Sequence, residues 1–208
     1  MNVFVSYAHG GRDWSPERRD RWQRMVLDFA VLLRGKVRVE LDRFRAEDPD
    51  VDWTRWGARA VEKADVVVIA GNAEYWKRWR GENLPDEGAG VAREADALLG
   101  LYHRDQRAFQ RKVVVAILPG EDRRAIPYDL VRAHTFPITT LDRDGVAPLL
   151  RRCVRSGSSA GLAHHGDLRG VDPAAVLAAD AGVLGDGPVD RLDEHVRVGR
   201  PEGSLHCR

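Results

Sequence analysis

Residues 66–70 form an uninterrupted apolar run, Val-Val-Val-Ile-Ala, which limits the fold more than any other stretch of the sequence. A strand that is apolar at every position is buried on both faces, and such strands are typical of parallel sheets covered by helices. Residues 113–118 form another apolar run, and segments with apolar residues three or four apart alternate with these strands. The sequence therefore predicts an α/β fold with parallel strands and right-handed crossovers.

The other predicted strands are less uniform. Residues 3–5 lead a buried first strand into the polar sequence Ser-Tyr-Ala-His, and residues 37–41 alternate apolar and charged side chains as a half-exposed second strand. Residues 136–139 predict a weaker fifth strand, in which Pro137 suits a sheet edge. Helical patterns are predicted between these strands and at the end, over residues 16–34, 53–64, 73–80, 91–102 and 146–155.

Composition sets the domain organisation and excludes several classes of protein. The chain has 208 residues, of which 43% are hydrophobic, and a formal net charge of +1. This near-neutral balance argues against nucleic-acid binding and against binding to an anionic membrane as the main function. No apolar run approaches the ~18 residues of a membrane span and no signal-peptide pattern begins the sequence, so a cytoplasmic protein is expected. Cys153 and Cys207 suggest neither a disulfide framework nor a metal site.

The sequence changes in character after position 155. From residue 156 onward it is rich in Gly, Ala and Asp and contains no Phe, Tyr, Trp, Ile or Met. Such a segment cannot bury enough apolar surface to fold by itself. We therefore predict a domain over residues 1–155 and a largely disordered tail over residues 156–208, with one short helix near residues 173–181.

Polar side chains follow the first two predicted strands. Ser6, Tyr7 and His9 come at the end of the first strand, and Asp42 ends the second. In an open parallel sheet, ligands bind outside the carboxyl ends of the strands, where the strand order reverses. These residues are therefore candidates for substrate binding. The alternative is that Ser6 and Tyr7 only cap the strand and fill an edge of the core.

Glu94 is the acidic residue that the helical pattern singles out. For a helix that begins at Val91, Glu94 lies beside Val91 and Leu98, at the edge of the buried stripe. A carboxylate held there is partly desolvated, which raises its pKa and strengthens its effect on a bound molecule. The alternative is an acid placed in the first turn of a helix because the helix dipole favours it there.

Tryptophans flank the loops that would surround such a crevice. We expect Trp53 and Trp56 on one side and Trp76 and Trp79 on the other, where aromatic rings could stack on a flat ring such as adenine or nicotinamide. Trp53 and Trp56 could equally be the buried face of their own helix. The sequence contains no Walker loop, GxGxxG or GxSxG motif, and its histidines lack metal-ligand spacing.

The order of these segments resembles a known family. Residues 3–9 (VFVSYAH), 39–42 (VELD), 64–69 (ADVVVI) with Tyr75, 88–94 (GAGVARE) and a strand that ends in Leu118-Pro119 are similar to the successive conserved boxes of SEFIR domains. SEFIR domains are close relatives of the Toll/interleukin-1 receptor (TIR) domain. The resemblance covers about residues 2–155. It implies a flavodoxin-like, five-stranded parallel sheet with strand order 2-1-3-4-5, whose expected site lies between strands 1 and 3.

The resemblance also implies an activity. Many bacterial TIR proteins cleave the nicotinamide–ribose bond of NAD with a glutamate that corresponds in position to Glu94. NAD is then the substrate, and no separate cofactor and no metal is expected. The residues that we assign to substrate binding are Ser6, Tyr7, His9, Asp42, Phe44 and Trp56.

Two other functions remain open at this point. SEFIR and TIR domains of receptors and adaptors signal by self-assembly without catalysis, so the resemblance also implies like-with-like association, with an upstream sensor protein as a possible partner. A nucleoside deoxyribosyltransferase-like enzyme, whose fold and catalytic glutamate are similar, is a third hypothesis. The resemblance further suggests that residues 43–52 dock on a neighbouring subunit.

Overall fold

Five strands form one parallel sheet, and each follows from an apolar segment of the sequence. They are Asn2–Tyr7 (β1), Arg38–Glu40 (β2), Val66–Ala70 (β3), Val113–Ile117 (β4) and His134–Pro137 (β5). The computed structural model describes residues 1–84 and 88–162, without the side chains of residues 54 and 157–162. The strand order is β2-β1-β3-β4-β5, and all neighbouring strands are parallel. The predicted α/β fold and flavodoxin-like strand order are confirmed.

Helices connect the strands across both faces of the sheet. They span Pro16–Arg34 (α1), Trp53–Lys63 (α2), Ala73–Trp79 (α3), Ala89–Arg104 (α4), Gln106–Lys112 (α5) and Arg143–Leu162 (α6), with short 3₁₀ helices over Asp42–Arg45, Arg123–Ala125 and Tyr128–Arg132. Ser15 caps α1 by accepting a hydrogen bond from the backbone N–H of Arg18, and Pro16 follows at the first helical position. The predicted extent of this helix, residues 16–34, is therefore confirmed.

The two faces of the sheet carry separate cores because side chains alternate along each strand. Val3, Val5 and Tyr7 of β1 point to the face covered by α1 and α6. Phe4 points to the opposite face, where α2, α3, α4 and α5 pack. Ser6, two residues after Phe4, lies on that second face as well. This alternation places the Ser6 hydroxyl beneath α3 and α4.

Some element boundaries differ from the predicted ones. β5 begins at His134, earlier than predicted, and helix α5 was not predicted. Helix α4 ends at Asp105, where the backbone is extended. The Asp105 carboxylate accepts a hydrogen bond from the backbone N–H of Ala108 at 2.9 Å and so caps the start of α5. A side-chain cap of this kind separates two helices without any proline or glycine to mark the break.

The last helix is longer than predicted. α6 continues to Leu162, past the predicted end at residue 155 and into the segment assigned to the tail. The Ser and Gly residues there have low intrinsic helix propensity, which is why the sequence pattern indicated an earlier end. The rest of the predicted tail, with its possible helix near residues 173–181, lies outside the described residues and stays a prediction.

Candidate active site

A cleft of about 730 Å³ opens at the carboxyl end of β1, beside the point where the strand order reverses. Four of the predicted site residues contribute to its wall together with Glu94. Its lining includes Tyr7, His9, Asp42, Trp56 and Glu94, and also Gly10, Gly11, Arg12, Arg19, Gln23, Trp53, Gly57, Arg78, Gly88 and Gly90. The location agrees with the general rule for open α/β sheets.

Glu94 is buried in the wall of this cleft and is bonded to Ser6. The residue is only 7% exposed, and its Oε2 accepts a hydrogen bond from Ser6 Oγ at 2.6 Å. Because α4 begins at Ala89, Glu94 lies beyond the first turn of the helix. The helix dipole acts mainly on the first turn and therefore does not account for this acid. The burial predicted for Glu94 is confirmed, and burial lets its charge act strongly on a bound molecule.

Gly57 of α2 makes room for the Glu94 carboxyl. A β-carbon at position 57 would lie 2.5 Å from Glu94 Oε1 and 2.8 Å from its Cγ, closer than van der Waals contact allows. Glycine inside a helix costs roughly 1 kcal/mol relative to alanine. At this position the loss of helix stability is offset because glycine lets α2 approach α4 closely. The Glu94 carboxyl then has room to stay against Ser6.

Burial changes the protonation of Glu94. Desolvation raises the pKa of its carboxyl to about 8, the Ser6 hydrogen bond opposes this rise, and the negative charge of Asp42 adds to it. An isolated carboxyl in a low-dielectric site prefers its neutral form. At pH 7 the free site therefore holds a mostly protonated Glu94, and a cation in the cleft would favour ionisation.

A cluster of polar side chains joins the end of β1 to the 3₁₀ helix along the cleft. It consists of Tyr7, His9 and Asp42. His9 Nε2 is hydrogen-bonded to Asp42 Oδ2, and the His9 ring lies 4.9 Å from the Tyr7 ring. The Tyr7 hydroxyl is buried near Asp42 and has no well-formed hydrogen bond to any described residue. Burial first, and then the Asp42 charge, raise the pKa of Tyr7, so its hydroxyl keeps its proton and can donate to a ligand.

Arginine side chains also line the cleft. Arg12, Arg19 and Arg78 all contribute to its wall. Arg78 is buried, and its Nη1 donates to the Glu74 carbonyl at 2.7 Å while its Nη2 donates to the Gly10 carbonyl at 3.2 Å. Its guanidinium also pairs with the Glu74 carboxylate at 3.4 Å. Arg78 thus ties α3 to the loop that follows β1.

Aromatic side chains form a third part of the wall. Trp56 packs edge-on against Phe4 of β1, with ring centroids 5.4 Å apart, and is partly buried. Trp53 is 46% exposed, and its ring lies 5.6 Å from that of Trp56. Trp56 therefore serves both as a core contact and as a wall of the cleft, which the sequence had left as alternatives.

Four residues differ in the structure from the roles predicted for them. Ser6 is 1% exposed and lies behind Glu94, so it holds the acid and does not itself line the cleft. Phe44 lies in an adjoining groove, next to Arg34, whose guanidinium is 4.5 Å from its ring centroid. The expectation that Trp76 and Trp79 frame the cleft was wrong. Both belong to the core, where Trp76 packs against Gly71 and Trp79 Nε1 donates to Asp129.

Sequence reasoning missed several residues that the fold brings to the site. Tyr75 is bonded to Ser6, Arg78 anchors the loop after β1, and Gly57 accommodates Glu94. Tyr75 and Arg78 are three residues apart on α3, and this spacing on a short helix places both side chains toward β1. The cluster Tyr-Trp-Lys-Arg in a short segment was the available signal for this contact.

The part of the chain that the structure describes shows no other obvious ligand chemistry. Within residues 1–84 and 88–162, no group of three or more His, Cys, Asp or Glu side chains is arranged to hold a metal ion. Within the same ranges, none of the helices combines the length and the apolar character needed to cross a membrane. Within these ranges, the cleft around Glu94 is therefore the candidate functional site.

The fold and the cleft define a doubly wound α/β domain with its site at the switch point of the sheet. No protein-family model matches the sequence, and a comparison with curated proteins finds no match. Among solved structures, the crystal structure of a prokaryotic SEFIR domain is similar, with 22% sequence identity and a TM-score of 0.49. The similarity covers 73% of this chain and 91% of that domain. It concerns the fold alone.

Proposed function

We propose that this protein cleaves NAD at the bond between nicotinamide and ribose. The observation that carries the proposal is Glu94, a buried carboxyl that lies in the wall of a cleft and is held by Ser6 at 2.6 Å. A group with a strongly perturbed pKa in a concave site at the switch point is the typical setting of a catalytic acid or base. The family resemblance of the sequence assigns the same residue independently of this geometry.

The reaction suits a single carboxylate. In NAD the nicotinamide nitrogen carries a positive charge, so when the bond to ribose C1′ breaks, the electron pair returns to that nitrogen and neutral nicotinamide leaves. The ribose becomes oxocarbenium-like, and the Glu94 carboxylate would stabilise this positive charge. A water oxygen then bonds to C1′ and releases one proton. No general acid is needed for this leaving group.

The protonation of Glu94 fits a cationic substrate. With its pKa raised to about 8, the carboxyl is mostly neutral in the empty site at pH 7. The nicotinamide cation brings a positive charge close to it, which favours the ionised form. The substrate would thus help to generate the carboxylate that its own cleavage requires.

The remainder of the cleft supports a dinucleotide. Arg12 and Arg19 supply positive charge that suits a pyrophosphate, and guanidinium groups are well matched to phosphate oxygens. The partly exposed Trp53 offers a face for a planar base. We assign the unpaired Tyr7 hydroxyl, together with Asp42 and His9, to hydroxyl groups of the substrate.

Release of nicotinamide from NAD tests the proposal directly. Purified protein over a wide range of concentrations should release nicotinamide from NAD but not from NADH, because the reduced ring is uncharged and is a poor leaving group. Equal cleavage of both dinucleotides would contradict the mechanism. A protein that cleaves neither at any concentration would favour the non-catalytic alternative, a module that acts by self-assembly.

A further inference from the structure

A chain of two hydrogen bonds joins three elements of the fold behind the cleft. Tyr75 of α3 is hydrogen-bonded to Ser6 of β1 at 2.9 Å, and Ser6 is hydrogen-bonded to Glu94 of α4 at 2.6 Å. All three side chains are buried, with exposures of 0%, 1% and 7% in that order. Burying a polar group costs folding free energy unless the group is hydrogen-bonded. The three side chains therefore favour the packing of β1, α3 and α4 that pairs them.

The chemistry of the three groups fixes the direction of the chain. When Glu94 is ionised its carboxylate can only accept, so in that state Ser6 donates its single hydroxyl proton to Glu94 Oε2. Ser6 Oγ then accepts from the Tyr75 hydroxyl, which burial holds in its protonated form by raising its pKa. The position of Tyr75 is itself fixed, because its backbone N–H donates to the side chain of Asn72 at 2.8 Å.

We propose that Ser6 and Tyr75 are positioning residues for Glu94, which hold its Oε2 in place and favour its ionised form. In this arrangement Oε1 lies on the side of Gly57, which lines the cleft. The kinetic part of this inference rests on the proposed NAD cleavage, whereas the effect on Glu94 itself does not. A donor that is itself hydrogen-bonded donates more strongly, so Tyr75 acts on Glu94 through Ser6.

Other groups around Glu94 do not replace this donor. The titratable groups that face it are Tyr7 of β1, Asp42 of the 3₁₀ helix and Tyr75 of α3. Asp42 opposes the ionisation of Glu94, and the neighbour from α2 is Gly57, which has no side chain. On α4 itself, Arg93 and Asp96 are exposed. His9 and the three arginines lie along the same cleft. Within the described residues, Ser6 is the side chain that donates directly to this carboxylate.

The first arm of the test follows the protonation of Glu94 without any substrate. The carboxyl of Glu94 can be titrated by carbon-detected NMR of the full chain, with Glu94→Gln to assign its signal. Ser6→Ala should move the midpoint to higher pH, and Tyr75→Phe should move it in the same direction by less. Tyr102→Phe, which changes a tyrosine of α4 that packs on Phe109, is the matched control and should leave the midpoint unchanged. An unchanged midpoint in both site variants would overturn the inference.

The second arm is the pH profile of NAD cleavage. If Ser6 favours the ionised carboxylate, Ser6→Ala should lower kcat/KM at pH 7 by about tenfold and leave the plateau at high pH within about twofold of wild type. An equal loss at every pH would mean a merely structural role and would contradict the inference. If Ser6→Ala does not fold, the pH profile of Tyr75→Phe tests the inference instead. That variant removes the Tyr75 hydroxyl and keeps the hydrogen bond from Ser6 to Glu94. A wild type without activity would refute NAD cleavage, and the titration arm would still decide the role of Ser6.

Discussion

At the scale of single residues, the site depends on one carboxyl placed where its charge is unfavourable. Glu94 is buried against Ser6 and Gly57, and desolvation raises its pKa to about 8. The folded protein therefore binds this proton more tightly than the unfolded chain does. Glu94 contributes stability that is fully present below its ordinary pKa of 4.5 and is lost as the pH rises through about 8.

This linkage predicts the pH dependence of stability. Glu94→Gln keeps the shape of the side chain and its acceptor for Ser6 but cannot ionise. Above pH 8 its Tm should exceed that of wild type by about 5 °C or more, and the difference should shrink toward pH 5. Thermal unfolding across this range measures the effect. The control is Glu62→Gln, which makes the same change in charge at an exposed position. A constant difference between Glu94→Gln and wild type at every pH would show that Glu94 is not buried as a neutral acid.

Gly57 gives another prediction at this scale. Gly57→Ala should raise helix propensity, but its β-carbon would displace the Glu94 carboxyl from Ser6. We expect NAD cleavage to fall at least about tenfold, because a catalytic group displaced by an ångström loses its alignment. Gly100→Ala, on α4 with open space around it, is the matched control and should gain up to about 1 kcal/mol without loss of activity. Full activity of Gly57→Ala would contradict this account of the α2–α4 contact.

At the scale of elements, α3 is the segment that connects the cleft to the rest of the fold. Arg78 ties it to the loop after β1, and Gly88 packs against the Arg78 side chain. Arg78→Met would remove the buried guanidinium that donates to the Glu74 and Gly10 carbonyls and would leave the Glu74 carboxylate paired with Lys77, at 2.9 Å. We expect a loss of about 3 kcal/mol in the free energy of unfolding, measured by urea titration.

The control for this prediction is an exposed arginine on the same segment. Arg80 pairs with Glu82 at 2.8 Å on the surface, with both side chains about half exposed. Arg80→Met should therefore change stability by less than about 1 kcal/mol. Equal effects of the two substitutions would mean that the Arg78 tie is not structurally important.

The elements also show what the sequence could and could not predict. The apolar runs at β3 and β4 and the helical spacing of α1 are local signals, so the parallel α/β fold and the first helix were predicted correctly. The strand order was predicted from the family resemblance. The split between α4 and α5 was missed because it depends on one Asp105 side chain. The predicted positions of Trp76 and Trp79 were wrong, since the direction in which a short helix packs is set by tertiary contacts.

The candidate site shows the same division. The position of Glu94 near the buried stripe followed from helical spacing, and its burial is confirmed. Its bond to Ser6 joins residues 88 positions apart, and Tyr75 joins them from a third element. Contacts of this kind join elements that are far apart in the sequence. They depend on the strand order and on how the helices pack on β1, and no local sequence pattern reveals either. The substrate-binding roles of Tyr7, His9, Asp42 and Trp56 stay predictions.

At the scale of the whole molecule, the resemblance predicts self-assembly through residues 43–52. This loop includes most of the 3₁₀ helix at Asp42–Arg45 and exposes Glu47, Asp50 and Asp52. If a neighbouring copy completes the cleft, activity per molecule should rise with protein concentration. Activity assays paired with sedimentation measure this, and strict proportionality from dilute solution upward would exclude it.

A charge reversal in the loop tests where the copies meet. Asp50→Lys changes an exposed position of the loop, and Asp20→Lys makes the same change at an exposed position of α1. We expect Asp50→Lys to weaken association and to abolish the concentration dependence, while Asp20→Lys behaves as wild type. Identical behaviour of the two variants would place the contact elsewhere.

We propose above all that the Glu94 carboxylate stabilises the developing positive charge on the ribose of NAD. The most direct measurement is the rate of nicotinamide release by wild type, Glu94→Gln and Glu62→Gln under identical conditions of pH and protein concentration. Loss of such an electrostatic contribution costs about 3 kcal/mol or more, so Glu94→Gln should be slower by at least about a hundredfold, and Glu62→Gln should match wild type. An active wild type whose Glu94→Gln variant keeps nearly full activity would contradict the claim.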